Sequence, residues 1–420
     1  VLFVAFYLTV SCKPPANKEV KDSVLDASLT AIMKEYGVVG CSLAVIKNNQ
    51  NIYYYNYGLA NIKTNETMSS NHSIRLASIS KLLTSILLLN VLERHPSTNI
   101  NEPISKLLEI PFNNPNFKDD KITLKELVSH TSSFSPNQTP SEEFINESIF
   151  NRGLNISEII KSNGKYYRDY YWDDTFPPGD RYSYSGFNFL IIATILEKIT
   201  KQRFNQLAHT ILINKLQLQN THLATSLPLA ETKYAIGYNV INDIPKIALD
   251  DNKFQLRIVN KKYVIGKNPT IHSPQSSFRS NIVDLSKVMK MLLNNGVYEN
   301  TRILNKDSIK LLETPIFKTT TIHRGLGTEI NYQLIPGIKM VGHSGNAYGI
   351  LTHFFYNREE DFGIIFIING LKMLVYEEGG DHLQIEREIP KIIYDRLIKQ
   401  KYESPQITAT KNFTQKKSRN

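Results

Sequence analysis

The 420-residue sequence contains only two cysteines, Cys12 and Cys41. Two thiols cannot build a disulfide framework, which excludes a stapled mini-domain. Several catalytic signatures are missing as well. There is no HExxH and no paired His/Cys cluster at ligand spacing, so no metal site is expected. No Walker A loop occurs, and no GxGxxG follows the first strand-like run, which disfavours a dinucleotide fold. GxSxG is also absent, removing the usual signal for a nucleophile elbow. No cofactor is expected. No fixed-period repeat or low-complexity block appears. What remains is material for a large core: 41% hydrophobic residues, 22 Tyr, 19 Phe and only 21% charged residues. That composition excludes wholesale disorder and collagen.

Lys and Arg number 49 against 39 Asp and Glu, a net charge of +10. The excess is spread along the chain, and the tight basic cluster is confined to Lys416, Lys417 and Arg419. A diffuse excess describes a solvated surface and not a nucleic-acid footprint. No nucleic-acid partner is expected.

Residues 1–11 form an uncharged apolar run ending in Ser11-Cys12. Such a run is too short to span a bilayer and reads as a secretory signal. A Cys directly after a small residue resembles a bacterial lipoprotein processing site, with Cys12 acylated. The resemblance implies export to the periplasm or cell envelope and a membrane contact through the lipid. Thr9 and the missing basic n-region depart from that pattern. A buried first strand is the alternative reading of this run; a Cys12 left unacylated could pair with Cys41, which otherwise reads as a small buried strand residue.

The chain divides into a signal-like segment 1–12, a tether 13–24, a main unit 25–400 and a polar basic tail 401–420. Periodicity predicts a helix over Asp22–Tyr36, strands over Cys41–Lys47 and Ile52–Gly58, and a helix over Ser78–Glu93. The stretch from 95 to 320 reads as mostly helical, including Ile122–Ser129, Phe187–Lys201 and Val283–Asn294. Strands return at Leu351–Tyr356 and Phe362–Ile368, followed by a helix at Ile385–Lys399. This order fits an α+β fold: an antiparallel sheet built from both chain ends, helices on its faces and an inserted, mainly helical lobe.

One reactive pattern stands out. Ser78-Ile79-Ser80-Lys81 opens a strongly helical segment, so Ser78 and Lys81 share a face one turn apart. A serine hydroxyl needs a base before it attacks, and the positive helix end favours developing negative charge. A second SxxK, Ser162-Asn163-Gly164-Lys165, falls on a turn where nothing fixes a common face. By itself the first motif also reads as an ordinary helix cap with a surface lysine.

Two further motifs follow in order: Pro177-Pro178-Gly179-Asp180-Arg181-Tyr182-Ser183-Tyr184-Ser185-Gly186, then Gly342-His343-Ser344-Gly345-Asn346. With Ile122–Ser132 (ITLKELVSHTS), the sequence resembles the serine β-lactamase and penicillin-recognising family. The likeness is to the class C-related branch that includes D-alanyl-D-alanine carboxypeptidases, esterases and amide hydrolases, and it covers about residues 27–398. The resemblance implies the β-lactamase/transpeptidase-like fold and a serine hydrolase working through an acyl-enzyme. Ser78 would be the nucleophile, Lys81 its base and Tyr184 the proton-exchanging tyrosine. His343 would favour a substrate carboxylate and keep Tyr184 acidic, with Ser344 and Gly345 completing the strand motif. The backbone N–H groups of Ser78 and Asn346 would form the oxyanion hole. Other Tyr-x-Asn matches, at Tyr54 and Tyr298, fall on an early strand and a turn.

The sequence also departs from the family. Gly186 replaces the usual Asn, Ser133 a usual Gly, His343 the Lys of most β-lactamases, and Pro274–Ser280 a Gly-Gly stretch. The expected substrate is an amide or ester, such as a D-Ala peptide or β-lactam-like compound. The alternative is a ligand-binding member of the same fold with little or no catalysis. Nothing in the sequence sets an oligomeric state.

Overall fold

The apolar run after Gly40 forms β1 (Gly40–Lys47), buried at every position. A strand without a solvent face must be covered on both sides. Its alternation assigns each side chain. Cys41, Leu43 and Val45 point into one core with Leu29 and Met33 of helix α1 (Ser23–Glu35). Ala44 and Ile46 point into the other core with Leu82 and Ile86 of helix α2 (Ile79–Arg94). One strand thus serves two layers of helices. Burial also pushes the Cys41 thiol up.

The computed structural model describes residues 20–399, apart from 137–138, 151–153, 227–231, 254–256, 258, 260–261, 321–322, 373 and 377–381. The signal-like segment with Cys12 and its proposed acylation or pairing, most of the tether, and the tail 401–420 lie outside the described residues. Val20 already donates to Ile52 O at 2.7 Å, and α1 begins at Ser23, so ordered structure starts before the tether was expected to end.

A nine-stranded antiparallel sheet forms the centre. β1 pairs with β2 (Gln50–Asn61), which pairs with the short β3 (Glu66–Thr67). Asn48 and Asn49 connect β1 to β2 with φ of 51° and 57°, the positive values that a two-residue hairpin loop requires. Two short two-stranded ladders flank the sheet region. β4 (Ile74–Arg75) pairs with β7 (Arg279–Ser280), and β5 (Gly237–Ile241) with β6 (Ile244–Leu249). A further hairpin joins β8 (Val297–Tyr298) to β9 (Thr301–Arg302). The other half of the large sheet runs through β10 (Phe317–Lys318), β11 (His323–Arg324), β12 (Glu329–Asn331), β13 (Met340–Ala347), β14 (Ile350–Asn357) and β15 (Phe362–Ile368). β15 pairs with β1, so the N-terminal strands close against the C-terminal ones.

The hairpin β5–β6 corrects the helical reading of 95–320. Ile241, Ile244 and Ile247 are each at least half exposed, so this strand pair shows no buried alternation for a sequence pattern to reveal. The helices Leu124–Val128, Phe187–Thr200 and Ile282–Leu293 fall where periodicity predicted them. Tyr54 lies on β2 and Tyr298 on β8, and neither follows the Pro-Gly segment that leads to Tyr184. Among the described residues, no helix is long and apolar enough to cross a membrane.

Candidate active site

The chain turns from β4 into α2 through Leu76 and Ala77. Ala77 has φ of 46°, a left-handed conformation that costs an L-residue about 1–2 kcal/mol. The turn leaves Ser78 at the N-cap position and partly exposed, while Ile79–Val91 behind it are buried. Lys81 is therefore carried into the interior with only 2% of its surface accessible. Its Nζ lies 3.1 Å from Ser78 Oγ and 3.1 Å from the carbonyl oxygen of Gln275. Burial, and after it the Arg75 guanidinium, lower the Lys81 amine to about 7. At neutral pH a large share of this lysine therefore carries a lone pair.

Tyr184 arrives from the Pro-Gly segment ahead of the helix Phe187–Thr200, and its hydroxyl donates to Ser78 Oγ at 2.7 Å. Its ring packs 4.5 Å from the His130 ring, and the Lys81 ammonium position lies 4.8 Å from its centroid. Desolvation pushes the Tyr184 phenol up to about 12, with the Ser78 hydrogen bond opposing it. His130 follows the helix Leu124–Val128, whose N-terminus is fixed by the Thr123–Glu126 capping box. Its Nδ1 accepts from the Ser185 N–H at 3.1 Å, and burial lowers it well below the usual histidine range. Ser133, in place of the family glycine, adopts φ of 55° and accepts a hydrogen bond from the Asn114 amide at 3.0 Å.

β13 forms the facing wall. Gly345 sits where a Cβ would come within 2.9 Å of Ser78 N and 2.6 Å of Leu76 O. Thr352 on β14 donates to Leu76 O at 3.0 Å. The strand is thus drawn against the nucleophile turn, with Asn346 following immediately. His343 Nδ1 meets Ser344 O at 2.5 Å. A carbonyl only accepts, so Nδ1 carries the proton and Nε2 the lone pair. Desolvation and then Lys81 lower His343 to about 3. Both directions run against the sequence expectation: burial favours the neutral form of His343 over a charge for a carboxylate, and desolvation favours the protonated phenol of Tyr184.

Ser78, His130, Tyr182, Tyr184, Arg324, Glu329, His343, Ser344 and Asn346 line a cleft of about 310 Å³. Arg324 is its fixed cation, 2.8 Å from Glu329. Glu329 also bonds His382, and despite burial His382 and Arg324 hold this carboxylate well below its usual range. Sequence reasoning missed Arg324 and the Gln275 carbonyl, and His130 entered only as part of a matching segment. The second SxxK remains apart: Lys165 is exposed at the surface and pairs with Glu147 at 2.9 Å. Among the described residues, no group of three or more His, Cys, Asp or Glu is arranged to hold a metal ion.

A family profile described as Beta-lactamase matches residues 25–387. The chain belongs to the beta-lactamase family. A beta-lactamase from Pseudomonas fluorescens is 28% identical over 220 residues, covering 51% of this chain and 54% of that protein. Protein flp of Staphylococcus aureus (strain MW2) is 21% identical over 350 residues, covering 82% of this chain and 62% of that protein. The chain thus spans about half to three-fifths of the length of these curated relatives. In fold it is similar to an octameric penicillin-binding protein homologue from Pyrococcus abyssi, with a TM-score of 0.65 at 19% identity over 83% of this chain and 73% of that one. A D-stereospecific amidohydrolase from Streptomyces sp. gives 0.59 at 19% identity over 84% and 95%. The family supports chemistry of the serine-hydrolase type in general terms.

Proposed function

We propose that this protein is a serine hydrolase that cleaves an amide or ester through an acyl-enzyme on Ser78. The convergence of the Lys81 amine and the Tyr184 hydroxyl on Ser78 Oγ, at 3.1 and 2.7 Å, carries the reading. Neutral Lys81 takes the Ser78 proton as Oγ bonds to the substrate carbonyl carbon. Positioned proton transfer of this kind contributes about 10²–10⁴-fold. The carbonyl electrons move onto oxygen, which the N–H groups of Ser78 and Asn346 receive. Each such donor is worth about 2.7–4 kcal/mol. When the carbonyl re-forms, the bond to the leaving nitrogen or oxygen breaks. Tyr184 protonates that atom and recovers a proton from Lys81. Water then attacks the ester with the same groups in reverse, releasing the acid and Ser78.

Arg324 takes the part first assigned to His343, as the cation in the cleft that meets an anionic substrate group. The apolar run before Cys12 supports an exported, lipid-tethered location for this activity. Intact-mass measurement after incubation with a penicillin or an activated ester tests the reaction. An adduct on the wild type that Ser78→Ala lacks is expected, and equal masses for the two would remove the proposal. Gly186 favours a second reading, a binding protein on this fold, because it brings no side-chain amide to the cleft. Measurable hydrolysis that disappears in Tyr184→Phe would exclude it.

A further inference from the structure

Arg75 lies three residues before Ser78 and touches two other segments of the site. Its Nε donates to Ser276 O at 2.8 Å and its Nη2 to Ser276 Oγ at 2.8 Å. The adjacent carbonyl, of Gln275, is the one that receives Lys81 Nζ. The Arg75 guanidinium also stacks 4.6 Å from the ring centroid of Tyr348, two residues beyond Asn346. We propose that Arg75 is a positioning residue for the Ser78–Lys81 pair, clamping the loop whose Gln275 carbonyl aims the Lys81 amine at Ser78. The inference rests on the acyl-enzyme reading above and extends it.

The geometry is that of a fork gripping one residue, with one donor on its main-chain carbonyl and one on its hydroxyl. A planar guanidinium with two donors on one residue fixes orientation as well as distance, which a lysine cannot do. The segment held is 194 residues from Lys81 in sequence, and its register against α2 is set also by Thr84, which donates to Pro274 O at 2.9 Å. Charge acts in the same direction. Arg75 lowers Lys81, second only to burial. The groups facing Arg75 are Arg279 on β7, Asp251, Arg257 and Tyr348. Asp251 is engaged by Arg279 through contacts of 3.1 and 2.8 Å, both side chains being 1% exposed. Around Lys81 stand Ser78, Tyr184, His130 and His343. None of these four is an anion at neutral pH, so the Arg75 charge reaches Lys81 without an opposing carboxylate among these neighbours.

The test is the rate of Ser78 labelling by a fluorophosphonate probe from pH 5 to 10, for wild type, Arg75→Gln and Arg75→Lys, with thermal melting of each. Wild-type labelling should rise to a plateau with a midpoint near Lys81's value. Arg75→Gln should move the midpoint up by roughly half to one pH unit and lower the plateau roughly tenfold. Arg75→Lys keeps the charge and loses the fork, so its midpoint should hold while its plateau falls. A fixed midpoint in Arg75→Gln, or an undiminished plateau in Arg75→Lys, would overturn the role. If Arg75→Gln fails to fold, the Arg75→Lys plateau decides. A wild type that takes no label at Ser78 at any pH would instead sink the acyl-enzyme reading, and the positioning role with it.

Discussion

Gly345 of β13 approaches Ser78 so closely that a Cβ on it would lie 2.9 Å from the Ser78 backbone nitrogen. The same Cβ would press to 2.5 Å from Thr352 Oγ1 and 2.6 Å from Leu76 O. All three contacts involve groups that fix the nucleophile turn. Gly345→Ala should therefore push β13 away from α2. Overpacking of this kind costs about 1–3 kcal/mol, and ångström-scale misplacement at a reacting centre costs about 10²-fold in rate. Urea unfolding together with kcat/KM would check both. An alanine variant with wild-type activity would mean that Asn346 and Ser78 do not act as a pair.

Tyr184→Phe removes the hydroxyl 2.7 Å from Ser78 Oγ and leaves the ring against His130. Stability should change by less than about 1 kcal/mol, because the packing body of the ring is kept. Acyl-enzyme turnover should fall by about 10²–10⁴-fold, the usual worth of a positioned proton donor. Stopped-flow acylation beside a melting curve separates the two effects.

The parts of this site that were legible in the sequence are those carried by side-chain type at helical or strand spacing. Ser78 and Lys81 share a face because α2 is regular there, and β1 falls on the strand expected over Cys41–Lys47. What acts on Lys81 was not legible. The Gln275 group that receives it is a backbone carbonyl, which no residue type announces, and Arg75 reaches Ser276 across the β4–β7 ladder. The lowered His343 was not legible for a related reason. A histidine in a motif gives no sign of its desolvation, and desolvation decides its charge. Arg324 was missed because no motif marks it: it faces Glu329 across the short β11–β12 hairpin, and only the fold brings that hairpin to the cleft.

Activity should rise with pH through about 7, as Lys81 loses its proton. Stability should follow the same sign. The folded amine at about 7 stands below its ordinary 10.5, so between these values the unfolded chain binds more protons, and stability climbs as pH increases. Lys81→Met should abolish turnover and flatten the part of the stability profile between pH 7 and 10 that this amine contributes. Urea midpoints at pH 7 and pH 9 for both proteins measure it; parallel profiles would contradict a depressed lysine.

Arg324 supplies the fixed positive charge of the cleft, paired with the Glu329 carboxylate at 2.8 Å, while burial favours neutral His343. Arg324→Gln should therefore raise KM roughly tenfold for substrates bearing a carboxylate, the loss expected for a charge-assisted hydrogen bond. A neutral p-nitrophenyl ester should be hydrolysed nearly as before. Equal losses on both substrates would point to a general disturbance of the Glu329–His382 pair and would remove the recognition role.

Gly186 lies beside Gln275, and a Cβ there would meet Gln275 Cγ at 3.5 Å, an ordinary van der Waals contact. Its backbone has φ of −62°, which any L-residue adopts. Asn therefore fits at this position without strain, and Gly186→Asn should change stability by no more than about 0.5 kcal/mol. The added amide would stand at the N-terminus of the helix Phe187–Thr200, where the family resemblance implies a group that holds a substrate acyl-amide carbonyl. Substrates with an acyl-amide carbonyl should gain roughly tenfold in kcat/KM from one new hydrogen bond, while simple esters gain nothing. Nitrocefin and p-nitrophenyl acetate, assayed side by side on both proteins, give the comparison. Equal rates on nitrocefin before and after the substitution would show that the glycine is not what limits this cleft toward β-lactams.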